Sequence, residues 1–170
     1  MGWESIKMLL TDVDGVLTDG RVFLDHEGRE MKAFHVWDGL GLVLLQRAGL
    51  LVGIISGSDA PLIRHRARQL GITEVYTACL DKKPALDEIL ARHQLRPEQV
   101  CFVGDDLLDL PLFRCVGMGV AVANARPEAL AAARYVTAAQ GGAGAVREVA
   151  ELILKTQGRW EEVLAAAKLS

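Results

Sequence analysis

Three apolar runs set the architecture open to this chain: Ile6-Lys7-Met8-Leu9-Leu10, Leu51-Val52-Gly53-Ile54-Ile55 and Val100-Cys101-Phe102-Val103. Each reads as a buried strand, and each is closed at once by polar residues, with Asp12, Ser56 and Asp105 at the three ends. Apolar residues at helical spacing fill the intervals, over Gly39 to Ala48, Pro61 to Leu70 and Pro84 to His93. Repeated strand–helix–strand order implies a Rossmann-like α/β fold, a doubly wound and mostly parallel sheet with helices on both faces. Ligands of such sheets bind beyond the carboxyl ends of the strands, near a topological switch point. Asp12, Ser56 and Asp105 all fall there.

The rest of the chain fits one domain over residues 1–170. Arg21 to Asp25 and Arg29 to His35, joined by His26-Glu27-Gly28, suggest a β-hairpin flap over about 20–35 after the first strand. Gly49 and Gly71 mark helix stops, and Asp59 is a plausible cap for the helix that begins at Pro61. Glu74 to Tyr76 and Met118 to Val122 read as further strands, with Tyr135 to Thr137 a candidate edge strand. Leu107 to Cys115, Pro127 to Ala133 and Val146 to Thr156 read as helices, before a helical or frayed tail over about 158–170.

Composition narrows the function classes. The chain is 51% hydrophobic and 24% charged, and its net charge of −3 gives no electrostatic support for a nucleic-acid partner. No uninterrupted apolar stretch has the length of a membrane span, which argues against a membrane partner. The start, Met1-Gly2-Trp3-Glu4, lacks the basic and apolar regions of a signal peptide. Cys79, Cys101 and Cys115 are odd in number and not at metal-ligand spacing, so they read as thiols of a reducing cytoplasm.

The chemistry concentrates at the strand ends. Asp12 and Asp14, two residues apart, project to the same face, where like charges repel unless a cation neutralises them. That pair supplies a nucleophile for phosphorus, Asp12, and an acid/base for the leaving oxygen and water, Asp14. Gly15 allows a sharp turn beside a ligand. Ser56 offers a hydroxyl donor, although Ser-Gly is also ordinary turn chemistry. One lysine of Asp81-Lys82-Lys83 could counter phosphate charge, although lysines before a helix are usually solvated. Asp105, Asp106 and Asp109 form a hard oxygen site suited to magnesium; a helix dipole explains one or two of them, but not the acidic first strand end as well. A phosphoaspartate receiver domain uses similar groups, but its accepting aspartate ends a central strand, where this chain has Ser56.

The order Asp12-Val13-Asp14-Gly15-Val16-Leu17-Thr18-Asp19-Gly20, Ser56, Lys82, then Gly104-Asp105-Asp106 through Asp109, resembles the four motifs of the haloacid dehalogenase superfamily of phosphatases. The resemblance implies Asp12 as nucleophile, Asp14 as acid/base, and Ser56, Gly57 and Lys82 as phosphate binders. It implies Mg2+ held by Asp12, the Asp14 backbone carbonyl and Asp105, supported by Asp106 and Asp109. About forty residues separate Asp14 from Ser56, so no cap domain fits.

Within the superfamily, Asp19-Gly20-Arg21 and Gly28-Arg29-Glu30-Met31-Lys32-Ala33-Phe34 resemble the flap of the 3-deoxy-D-manno-octulosonate 8-phosphate phosphatases. Asp38-Gly39-Leu40-Gly41 and Gly141-Gly142-Ala143-Gly144-Ala145-Val146-Arg147-Glu148 resemble later segments of the same enzymes. The resemblance implies a keto-sugar acid phosphate as substrate and a homotetramer in which a tail reaches a neighbouring site. Thr18, Lys32, Trp37, Asp38, Ser58 and Arg147 are its candidate substrate or interface residues. Trp37 and Ser58 stand where similar enzymes commonly carry arginine, which weakens recognition of a sugar carboxylate. A nonulosonate 9-phosphate of the sialic-acid type is the alternative substrate.

Overall fold

The first apolar run forms β1 (Met8–Thr11), and all four of its residues are buried. A strand buried on both faces needs neighbours on both edges, and β1 pairs in parallel with β4 (Leu51–Ile55) and β6 (Val100–Gly104). The structure, a computed structural model, describes residues 2–168. With β5 (Glu74–Tyr76), β7 (Met118–Ala121) and β8 (Tyr135–Val136), the sheet has six strands in the order β5-β4-β1-β6-β7-β8, all parallel. The chain runs outward from β1 through β4 to β5, returns to β6 and runs outward the other way. The switch point therefore lies between β1 and β6, where Thr11 is level with Val103.

The crossovers place α1 (Val36–Arg47) and α2 (Pro61–Gln69) before β5, and α3 (Lys83–His93), α4 (Leu110–Cys115) and α5 (Pro127–Ala132) after it. Right-handed connections put these two groups on opposite faces. Next, α6 (Ala145–Thr156) packs on α1, followed by α7 (Trp160–Lys168).

Several boundaries differ from the expected ones, each for a local reason. Helix α1 begins before the apolar spacing does, because the His35 ring accepts a hydrogen bond from the Trp37 N–H at 3.2 Å. Asp59 does not cap α2: its carboxylate accepts from the Thr77 hydroxyl at 2.8 Å, and Ala60 precedes the helix without a side-chain bond. Proline at the first position starts that helix instead. The expected helix from Leu107 divides into a 3-10 turn, Leu107–Asp109, and α4, because Asp109 folds back onto the preceding backbone.

The flap is a separate two-stranded hairpin, β2 (Phe23–Leu24) and β3 (Glu30–Met31), with Phe23 opposite Met31. Its turn is held by Asp25, whose carboxylate accepts from the Glu27 and Arg29 N–H groups at 2.9 Å each.

The glycine-rich segment is a packed joint. Gly144 precedes α6 with φ 103° and has no side chain to cap the helix. Asp38, from the first turn of α1, supplies the cap: its carboxylate accepts from the Gly144 N–H at 3.2 Å and the Arg147 N–H at 2.9 Å. Asp38→Ala is expected to lower unfolding free energy by about 1–2 kcal/mol, as loss of a buried cap does. Urea unfolding checks this, through a lower midpoint at unchanged slope.

Candidate active site

The turn after β1 carries the first two aspartates. The Asp12 N–H donates to the Val103 carbonyl at 2.9 Å, which ties the turn to β6. The Val13 carbonyl then accepts from the N–H groups of Val16, Leu17 and Thr18, so the chain doubles back at once. Thr18 is wholly buried, and its hydroxyl accepts from Gly15 and Gly20 and donates to Val13. It holds the turn together and does not face the cleft. Gly15 has φ +83°, and a Cβ there would collide with the Asp105 carboxylate.

Behind this turn lies a buried ionic centre. The Lys82 ammonium, with no exposed surface, lies 2.7 Å from Asp12 Oδ2 and 2.6 Å from Asp109 Oδ1. The other oxygen of Asp109 accepts from the N–H groups of Asp105 at 2.8 Å and Asp106 at 3.2 Å. Carboxylate oxygens of Asp12, Asp105 and Asp109 lie within 4.8 Å of one another. Burial pushes Asp12 up to about 6, against the lowering charge of Lys82. Burial, then the charges of Asp12, Asp109 and Asp106, push Asp105 up to about 7. Burial works to lower Lys82, but Asp12 and Asp109 outweigh it and hold its ammonium above the usual range. One cation against three carboxylates leaves negative charge that a hard, oxygen-seeking divalent cation fits. Both Asp109 oxygens are engaged, and so are those of Asp12, Oδ2 by Lys82 and Oδ1 by the Val13 N–H at 2.6 Å; among the described residues the Asp105 carboxylate has the more available oxygens.

In front of the centre opens a cleft of ≈ 220 Å³, whose lining includes Asp12, Asp14, Asp105 and Asp106 together with Ser56, Gly57 and Ser58. The Ser56 N–H donates to the Tyr76 carbonyl at 2.9 Å, and its hydroxyl oxygen accepts from the Ser58 N–H at 3.2 Å. That leaves the hydroxyl proton to donate. The Asp106 carboxylate accepts from the Leu107 N–H at 2.7 Å. A larger hollow of ≈ 490 Å³ lies around Lys7, Leu51 and Gln99, at the opposite ends of the strands, and holds none of these residues.

The flap reaches the cleft through Lys32, whose ammonium meets Asp14 Oδ1 at 2.5 Å and Glu30 Oε1 at 2.9 Å. Burial disfavours that charge, but hydrogen bonds to Asp14 and Glu30 raise Lys32 above its usual value. The remaining candidates lie elsewhere. Trp37 is exposed and shares a groove with Leu40, Arg147 and Glu151, and Asp38 is spent on the α6 cap. The Arg147 guanidinium pairs with Glu151 at 2.7 Å and lies over the Trp160 ring.

Comparison with known proteins places this geometry. The family model of haloacid dehalogenase-like hydrolases matches residues 58–149. The 3-deoxy-D-manno-octulosonate 8-phosphate phosphatase of Yersinia pestis is 48% identical over 92% of this chain and 84% of its own length. The chain belongs to the haloacid dehalogenase-like hydrolases. A solved phosphatase of the same description from Moraxella catarrhalis, in complex with a magnesium ion, a phosphate ion and a KDO molecule, superposes with TM-score 0.94. It is 39% identical, over 96% of this chain and 94% of that one. The cobalt-bound enzyme from Haemophilus influenzae superposes with TM-score 0.90 at 40% identity, over 93% and 92% of the two chains.

Among the described residues of this haloacid dehalogenase-like hydrolase, no cap domain covers the site. Only the flap and α1 stand between β1 and β4, and only α2 and β5 between β4 and Lys82. Four residues near the site were not among the expected ones: Glu30, Leu80, Leu108 and Asn124. Leu80 and Leu108 bracket Gly57, and the Asn124 side chain accepts from the Gly141 N–H at 2.8 Å. Glu30 and Leu108 lie inside motif segments without being their chemical residues, and Leu80 and Asn124 are defined by partners distant in the chain.

Proposed function

We propose that this phosphomonoesterase hydrolyses 3-deoxy-D-manno-octulosonate 8-phosphate with magnesium as cofactor, through an aspartyl-phosphate intermediate. The observation that carries the reading is Asp12 at the switch point, oriented by Lys82, with Asp14 two residues on at the mouth of the same cleft. Relatives that act on this substrate, 44–48% identical over most of the chain, support it.

In this reading an Asp12 oxygen attacks phosphorus and the bond to the sugar oxygen breaks. The departing oxygen takes the proton of Asp14. Water then attacks the aspartyl phosphate, Asp14 takes back a proton, and inorganic phosphate leaves with Asp12 restored. Ser56, the Gly57 backbone and Lys82 orient the phosphoryl oxygens. Asp12, Asp105 and the Asp14 carbonyl would hold magnesium, with Asp106 and Asp109 in support. When bound it neutralises the carboxylates and polarises the phosphoryl oxygens.

A nonulosonate 9-phosphate is the second reading, favoured by Trp37 and Ser58 in places where similar enzymes commonly carry arginine. We further propose a homotetramer whose flaps pack together and whose tail reaches a neighbour's cleft; the last two residues of that tail lie outside the described residues. Val22, Phe23, Leu24 and Met31 on the flap, with Val36 and Trp37 beside it, are 47–75% exposed and form the apolar surface such packing would cover. Three free cysteines suit the reducing cytoplasm.

Asp12→Asn is expected to lower kcat by about a thousandfold or more while circular dichroism stays native. In a screen of wild-type enzyme, kcat/KM is expected to be highest for octulosonate 8-phosphate. A preference for the nonulosonate would establish the second reading, and equal rates on hexose phosphates would overturn both. The oligomer is checked by light scattering, where Phe23→Ser with Leu24→Ser is expected to shift a tetramer toward smaller species.

The acidic centre also predicts how metal and pH combine. Asp12 and Asp105 titrate at about 6 and about 7 when folded, above the ordinary 3.8, so ionising them costs stability as pH rises through that window. Magnesium offsets that cost, whereas below the window protons already do so. The rise in Tm on adding magnesium is therefore expected to be larger near about pH 8 than near about pH 5. Scanning calorimetry of metal-stripped protein checks it, and an equal rise at both would contradict it.

A further inference from the structure

The flap holds a buried cation that the phosphate site does not use. Lys32 follows β3, and its side chain is 1% exposed, whereas Asp14 is 33% exposed at the mouth of the cleft. The ammonium bridges Asp14 Oδ1 and Glu30 Oε1, so it joins the flap to the turn that carries the first two aspartates. It is separate from Lys82, the cation of the acidic centre, which lies against Asp12 and Asp109.

We propose that Lys32 is a positioning residue for the leaving-group acid, holding Asp14 in the one orientation that places its second oxygen at the departing alcohol. This rests on the phosphomonoesterase mechanism above. An aspartate at a cleft mouth is otherwise able to rotate about two side-chain bonds, and proton transfer needs the acid within hydrogen-bond reach. Anchoring Oδ1 removes that freedom and leaves Oδ2 for the proton. Glu30, on β3, grips the same ammonium from the other side, so the placement of Asp14 follows the placement of the flap. The acid is thus assembled by two separate pieces of chain, the turn after β1 and the hairpin.

Such a residue matters most where the leaving group needs a proton. A sugar alkoxide does, whereas p-nitrophenolate departs without one. The test compares wild type, Lys32→Met and Lys32→Met with Glu30→Gln on a sugar phosphate and on p-nitrophenyl phosphate. The ratio of kcat/KM for the sugar phosphate to that for the aryl phosphate is expected to fall about tenfold or more in both variants, part of the full effect of a general acid. The double variant removes the repulsion between Asp14 and Glu30 that the single one creates, so it tests the tether alone. Native circular dichroism reports that each variant is folded.

A ratio that stays at the wild-type value, or recovers in the double variant, would overturn the positioning role. Asp14→Asn measured alongside separates the two levels of the argument. If it shows no fall in the ratio, the assignment of Asp14 as acid fails. If it shows the fall and the Lys32 variants do not, only the role of Lys32 fails.

Discussion

A single buried ammonium allows the acidic centre of this protein to exist. Lys82 immediately precedes α3, yet its side chain joins Asp12, which follows β1, to Asp109, which follows β6. Three carboxylates gathered this closely would be driven to bind protons, and Asp105, which has no ammonium partner, is pushed up to about 7. Breaking one partner of a buried pair costs about 3–5 kcal/mol, against a total stability of about 5–15 kcal/mol for a domain. Asp12 is therefore held by the same ammonium that ties the end of β1 to the turn after β6.

Close backbone packing does the rest of the positioning. The turn carrying Asp14 is confined on one side by the Asp105 carboxylate against Gly15. On the other it is confined by Gly141, where a Cβ would strike the Gly15 carbonyl. Gly142 donates from its N–H to the Val16 carbonyl at 2.8 Å, and Asn124 fixes Gly141. What reads in sequence as a loose glycine segment is a clasp over the turn that carries Asp12 and Asp14. Asp38 anchors the far end of that clasp through α6, so a carboxylate outside the cleft contributes to its shape.

These contacts explain which parts of the site are legible in sequence. Asp12, Ser56 and Asp105 each end an apolar run, and parallel pairing of those runs brings them together without further information. Lys82 needs more: by composition alone it is one of two adjacent lysines, and only the fold buries it while Lys83 pairs with Asp87 on the surface. Asp38, Thr18 and Arg147 look like site residues because they are polar and lie in motif-like segments. Their partners are backbone N–H groups, a turn of backbone and Glu151, and the first of these pairings spans more than a hundred residues. Glu30 is invisible for the same reason, since its value depends on Lys32 being folded against Asp14.

Selection of the substrate is arranged differently from the chemistry. The cleft, at ≈ 220 Å³, is smaller than the roughly 300–1,000 Å³ of ligand sites that enclose a whole small molecule. It has room for a phosphoryl group, and its rim at Ser58, Leu80 and Leu108 is far less buried than the acidic centre. Leu80 and Leu108 add apolar surface there but no charge that would grip a carboxylate. Lys32 is the point where these two systems meet, because it belongs to the flap by sequence and to Asp14 by contact. On the mechanism proposed above, a flap displaced by the wrong substrate would carry Asp14 with it, so the hairpin would influence turnover without touching phosphorus.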